Sequence, residues 1–259
     1  MSAVPKGWDG LFEDAALVSS ADQDAVATLT EHREHLSSWH GSLLGPLVVP
    51  DFRLAEVGRA GSDAADLDVC VVNTSGAGGL VSLAGRTTGG LRVVAVESAL
   101  RDLDDLAGNA ARVVAAAAEL DSAVEVYVQV PPGPRWEAAV ATVEAAGLCG
   151  ALRMDGGGDP TLIARQLSVL VEADLPFKVI DPGRSVLPLM AAVQALVEGD
   201  GHDEATALLI GEPADLVQRL ASWDDADVAR VRRRLRRIQV SSVVAAAAEL
   251  AAAGVVRPA

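Results

Sequence analysis

Short β-branched runs alternate with alanine-rich stretches along most of this chain. The first kind predicts strands at residues 47–49, 69–73, 93–97, 124–130, 150–155, 176–180, 206–210 and 238–241. Between most of them the apolar spacing turns helical, over 103–120, 136–146, 160–172, 187–198, 213–237 with a break near Ser222, and 243–253. Strands joined by crossover helices force a parallel sheet, and eight of them predict an α/β fold of the (β/α)8 barrel type. Among the first three strands, Gly and Ser replace the helical pattern, so an open doubly wound sheet is the alternative. Ahead of the strands, Val26, Leu29, Leu36 and Trp39 recur at helical spacing within 23–39. The expectation is one domain over 1–259. Residues 1–46 form an N-terminal helical extension that closes the floor, and 47–259 form the barrel.

Composition narrows the function classes. A hydrophobic fraction of 50% with 22% charged residues suits a sizeable core. With 3% aromatics, that core must be filled by Val, Leu and Ala. The net charge of −15 would repel phosphate backbones, so no nucleic-acid partner is expected. No apolar run reaches the ~18 residues of a membrane helix, and no signal segment opens the chain. Cys70 and Cys149 stand apart without CxxC spacing, which fits a reduced, cytoplasmic compartment. His32, His35 and His40 match no zinc spacing and are expected on a solvated helix face, so no metal is expected, and no motif calls for a cofactor. An arginine run closes the segment 213–237, after an acidic Asp224-Asp225-Ala226-Asp227 start. The helix dipole favours that order, and the helix is also a candidate contact in a homo-oligomer.

Barrel sites form at the C-terminal ends of the strands, and alternation assigns the inward side chains. With Val124, Val126, Val128 and Val130 facing the helices, Glu125, Tyr127 and Gln129 point inward. The same logic places Arg153, Asp155 and Lys178 inside, with Asn73 and Glu97 ending their strands on the inward phase. Lys178 is one of only two lysines and lies in the apolar run 175–180, where an ammonium must be paired or neutralised. It either forms an ion pair with Glu125, Glu97 or Asp155, or attacks a carbonyl substrate to give a Schiff base. The second role needs a pKa depressed by burial or by a cation such as Arg153. Gly156 and Gly157 lead into a helix with Asp159 at its cap and Pro160 in its first turn. Backbone N–H groups there could hold an anion, although a well-capped glycine turn explains the run equally. Ser241 ends the last strand at a common barrel phosphate position, where serine capping alone needs no ligand.

Several segments together resemble an uncharacterised actinobacterial family built like aldolase-type barrels. Gly10-Leu11-Phe12-Glu13-Asp14-Ala15-Ala16-Leu17 is similar to its "LFDDAALFPP" opening, followed by His32-Arg33 and 45–50 at similar spacing. The segment 150–157 resembles a "GAKLRTGG" strand end, and Pro176-Phe177-Lys178 resembles "PFKATAGLHH". Ser19 and Ser20 stand where that opening has prolines, Leu152 where the strand end has lysine, and Arg184 and Ser185 near the paired histidines. The resemblance implies a fold, with part of the polar machinery missing, and carries no reaction.

Two functions from different classes follow. One is a catalytically silent barrel that binds a small molecule or serves as a subunit of an assembly. The other is a lyase or isomerase acting on a small anionic carbonyl compound. In it Lys178 is the amine, Asp155 or Glu97 carries protons, and Arg153, Asn73, Gln129, Gly156, Gly157 and Ser241 hold substrate.

Overall fold

The β-branched runs pair side by side and in parallel until the sheet meets itself. The structure, a computed structural model, describes residues 6–19, 22–61, 67–84, 88–155, 158–183 and 185–257. Eight strands close a barrel in sequence order. They are β1 Phe12–Asp14, β2 Leu44–Pro50, β3 Leu67–Asn73, β4 Leu91–Ala99, β5 Glu125–Gln129, β6 Cys149–Arg153, β7 Phe177–Ile180 and β8 Leu235–Val240. β1 closes the ring by pairing with both β2 and β8, with Glu13 opposite Gln239.

Helices fill the crossovers. α1 (Ala16–Ser19) and α2 (Ala25–Leu36) follow β1, α3 (Leu54–Ala60) follows β2, and α4 (Gly76–Ala84) follows β3. α5 (Leu106–Ala117), α6 (Trp136–Ala145) and α7 (Pro160–Glu172) stand after β4, β5 and β6. Four helices separate β7 from β8: α8 (Leu187–Glu198), α9 (His202–Leu209), α10 (Pro213–Ala221) and α11 (Asp225–Arg234). α12 (Val243–Ala252) closes the chain. This is a (β/α)8 barrel, and among the described residues no helix is long and apolar enough to cross a membrane.

Three expectations need correction. The first strand is Phe12–Asp14, inside the segment read as an extension, so α2 is an ordinary first crossover. Three residues are too few to display alternation, and two of them are acidic. Residues 206–210 are helical instead: Ala205 is buried while Ile210 is 66% exposed, the one-sided burial of a helix. Only the first part of the arginine run ends a helix: Arg232, Arg233 and Arg234 fill the last turn of α11, the order the helix dipole favours. Leu235 breaks the run, and Arg236 and Arg237 lie in β8.

Nor is the histidine segment a solvated face. α2 buries Ala25, Thr28, Leu29 and His32, while Val26 and Leu36 are largely exposed. His40 lies beyond the helix, buried against the rings of His35 and Trp39, and neither of its nitrogens finds a hydrogen bond among the described residues.

Burial, and secondarily the charge of His35, holds the His40 imidazole below the ordinary histidine range. The folded protein therefore takes up that proton less readily than the unfolded chain, whose value is about 6.5. The stability is complete above that value and is lost as pH falls below it. Thermal melts from about pH 7.5 to about pH 5.5 are expected to show a fall in Tm that becomes shallower in His40→Phe. Equal slopes in the two proteins would contradict this.

Candidate functional site

The barrel interior is built from small residues around charged ones. Its apolar lining is Ala15, Val48, Cys70, Ala95, Tyr127, Ala151 and Ile180, separate from the larger core between sheet and helices. Alanines and a cysteine at these positions leave volume that long polar side chains fill.

Those side chains form one continuous ladder of alternating charge. At the C-terminal rim Asp155 lies 3.5 Å from Arg153, which lies 3.8 Å from Glu97. Glu97 and Glu13 each stand 2.8 Å from the Lys178 ammonium. Below it Glu13 is 3.7 Å from Arg237, and Arg237 donates to Glu125 at 2.9 Å. The Tyr127 hydroxyl donates to that same Glu125 oxygen at 3.0 Å. The ladder joins six of the eight strands.

Lys178 is the centre of this arrangement, with no solvent exposure. Its nitrogen donates to Glu13 Oε2, to Gln239 Oε1 at 3.4 Å and to Cys70 Sγ at 3.5 Å, and sits 5.2 Å from the Tyr127 ring centre. Burial opposes its charge, but its neighbours outweigh burial and hold the ammonium well above the ordinary lysine range. Burial also pushes the Cys70 thiol strongly up, so Cys70 stays neutral and the two carboxylates carry the effect. Cys149 is pushed up to about 11, burial first and Glu125 second. Neither thiol is a ready nucleophile.

The predicted site residues divide into three groups. Lys178, Glu97, Arg153 and Asp155 come together as expected, with Glu97 rather than Glu125 or Asp155 as the partner of Lys178. Gln129 shares the inward phase of Tyr127, and Ser241 lines the mouth. Asn73 does not join them. Its neighbour Val72 lines the mouth, while Asn73 pairs in register with Ser98 on the helix side. There it donates to Ser98 Oγ at 2.9 Å and to the Gly76 carbonyl at 2.8 Å, fixing the turn into α4. The run Val69-Cys70-Val71-Val72 has no polar residue to mark which face is which. Gly156, Gly157 and Arg184 lie outside the described residues.

Sequence reasoning missed Glu13, Gln239 and Arg237. The available signal was a glutamate between apolar Leu11-Phe12 and Ala15-Ala16-Leu17.

Above the ladder, the mouth is a cleft of about 420 Å3 lined by Val18, Ser19, Arg153, Asp181, Gln239 and Ser241, among others. Asp155 and Asp181, each just past the end of adjacent strands, have φ of +48° and +51°. Aspartate tolerates that left-handed backbone better than most residues, and it recurs at functional turns. Beside this cleft lies a second of about 500 Å3 at the loops after β7 and β8, where barrels often hold phosphate. Here the chain supplies its own anion. Glu249 accepts from the Ser185 hydroxyl and, at 2.9 Å, from the Val186 amide at the start of α8. Ser242 caps α12 by accepting from the Ala245 amide. Among the described residues, no group of three or more His, Cys, Asp and Glu side chains is placed to hold a metal ion.

Removing the ammonium alone strands two buried carboxylates. Lys178→Met is expected to cost about 3–5 kcal/mol in chemical denaturation. Adding Glu13→Gln to that variant is expected to recover part of the loss. A cost below about 1 kcal/mol for the single variant would mean the pair contributes little.

Comparison of the chain with protein-family models, with curated proteins and with solved structures returned no match.

Proposed function

We propose that this protein is a small-molecule-binding barrel whose mouth takes a small carboxylate, and that the charged interior supports the fold without forming a covalent intermediate. The observation that carries this reading is the state of Arg153. Its contacts to Glu97 and Asp155, at 3.8 and 3.5 Å, are electrostatic, and it makes no hydrogen bond among the described residues. Its side chain is 38% exposed in the mouth. A guanidinium carries five N–H donors in a planar fork that matches a carboxylate. Gln239, Ser19 and Ser241 stand around the same cleft to complete the polar contacts.

A carboxylate is favoured over a phosphate ester because Glu249 already occupies the donors at the usual phosphate position. A second negative group there would meet like charge at short range.

The Schiff-base lyase or isomerase has less support. Attack on a carbonyl needs a neutral amine, whereas Lys178 is held as an ammonium by two carboxylates at 2.8 Å. Among the described residues no second cation lies against Lys178 itself, since Arg153 and Arg237 each reach it through a glutamate.

Thermal-shift titration with small mono- and dicarboxylates, and with matched phosphate esters, tests the reading. Carboxylates are expected to raise the Tm of the wild type and to have no effect on Arg153→Met, while phosphate esters leave both unchanged. No carboxylate response, or a response that survives the substitution, would contradict it. Borohydride reduction in the presence of aldehydes is expected to leave Lys178 unmodified by intact mass, and a covalent adduct would restore the lyase reading.

A further inference from the structure

The opposite, N-terminal end of the barrel holds a cleft of about 670 Å3 that the mouth reading does not use. One of the residues lining it is His32, 1% exposed. Its Nδ1 lies 2.9 Å from Asp14 Oδ2, and Asp14 is itself buried at the end of β1. With that oxygen as acceptor, Nδ1 carries the proton and Nε2 presents a lone pair. Nε2 has no hydrogen-bond partner among the described residues. A buried imidazole fixed by a carboxylate, with its other nitrogen uncommitted beside a cleft, is an oriented acceptor waiting for a donor.

The rest of the lining indicates what kind of donor. Among the described residues lining the cleft are three carboxylates, Asp9, Asp68 and Glu125, and one cation, Arg237, and Asp68 is already paired with Arg92. That cation is already held by Glu125 at 2.9 Å and lies 3.7 Å from Glu13. Glu125 commits Oε2 to Tyr127 and Arg237, and its Oε1 makes no hydrogen bond among the described residues. Asp9 is exposed. Leu36, Leu44 and Leu67 supply an apolar wall. With Asp68 and Glu125 each paired to an arginine, Asp9 is the carboxylate left without an ion pair among the described residues, and the uncommitted polar atoms of the lining are acceptors.

We infer that this floor cleft is a second binding site, which takes a small organic amine. A protonated amine donates one N–H to His32 Nε2, lies against the carboxylates of Asp9 and Glu125, and packs its carbon chain on the leucines. The charge preference is opposite to that of the mouth, so the two sites stand or fall separately.

The test is a titration of the full chain with 1,4-diaminobutane, followed by the imidazole 15N resonances, with citrate as the anionic probe. The His32 ring signals, identified by their loss in His32→Gln, are expected to shift saturably with the diamine and not with citrate. Asp9→Asn, a change on the surface that should leave folding intact, is expected to weaken binding about three-fold, the worth of one partly screened charge. Arg153→Met is expected to leave diamine binding unchanged. If His32→Gln fails to fold, Asp9→Asn still decides the matter through calorimetry. An unmoved His32, a response to citrate instead, equal affinity in Asp9→Asn, or loss of binding in Arg153→Met would each overturn the assignment.

Discussion

A lysine ammonium without solvent exposure, held 2.8 Å from each of two glutamates, sets the terms on which this barrel closes. Taking an ammonium and two carboxylates out of water costs several kcal/mol per ion, and their attraction offsets this only when geometry and hydrogen bonding are good. The chain commits the lysine donors to Glu13, Gln239 and Cys70, with the Tyr127 ring close by, while Glu13 Oε1 and Glu97 Oε2 find no hydrogen bond among the described residues. The partners come from β1, β3, β4, β5 and β8 as well as β7, so the arrangement exists only when the ring is shut. It ties together strands distant in sequence, including the three-residue β1 that closes the circle.

The same charges organise both ends of the molecule. Because Glu97 and Glu13 each lie between Lys178 and an arginine, the ladder places an arginine towards each end in a different state. At the mouth Arg153 keeps its hydrogen-bonding capacity, since it meets Glu97 and Asp155 only as ion pairs at 3.8 and 3.5 Å and makes no hydrogen bond among the described residues. At the floor Arg237 is bound to Glu125 and the surrounding acids dominate. On the proposed reading, the uncommitted fork of Arg153 at the mouth and the uncommitted acceptors at the floor would select ligands of opposite charge.

Much of this was legible in the sequence. Wherever polar and apolar residues alternate, as in Glu125-Val126-Tyr127-Val128-Gln129, the inward phase could be assigned, and it placed Lys178, Glu97 and Arg153 together. Where the strand is apolar on both faces, as at 69–72, the phase was invisible and Asn73 fell on the wrong side. β1 was hidden because its three residues include two acids, and sequence rules read acids as surface. Glu13 is buried only because Lys178 and Arg237, 165 and more residues away, neutralise it. No local window contains that information. His32 was misread for the same reason, since its partner Asp14 belongs to the strand that had not been recognised.

The protonation state of Lys178 tests the account most directly. Selective 15N labelling of lysine leaves only two side-chain signals to assign, and Lys178→Met identifies the buried one if that variant folds. The account predicts a Lys178 nitrogen with the chemical shift of an ammonium from neutral pH to beyond about 10, slowly exchanging its protons with solvent. A Lys178 nitrogen that resonates as a neutral amine near pH 7 would contradict the ion pair and return this residue to the role of a nucleophile.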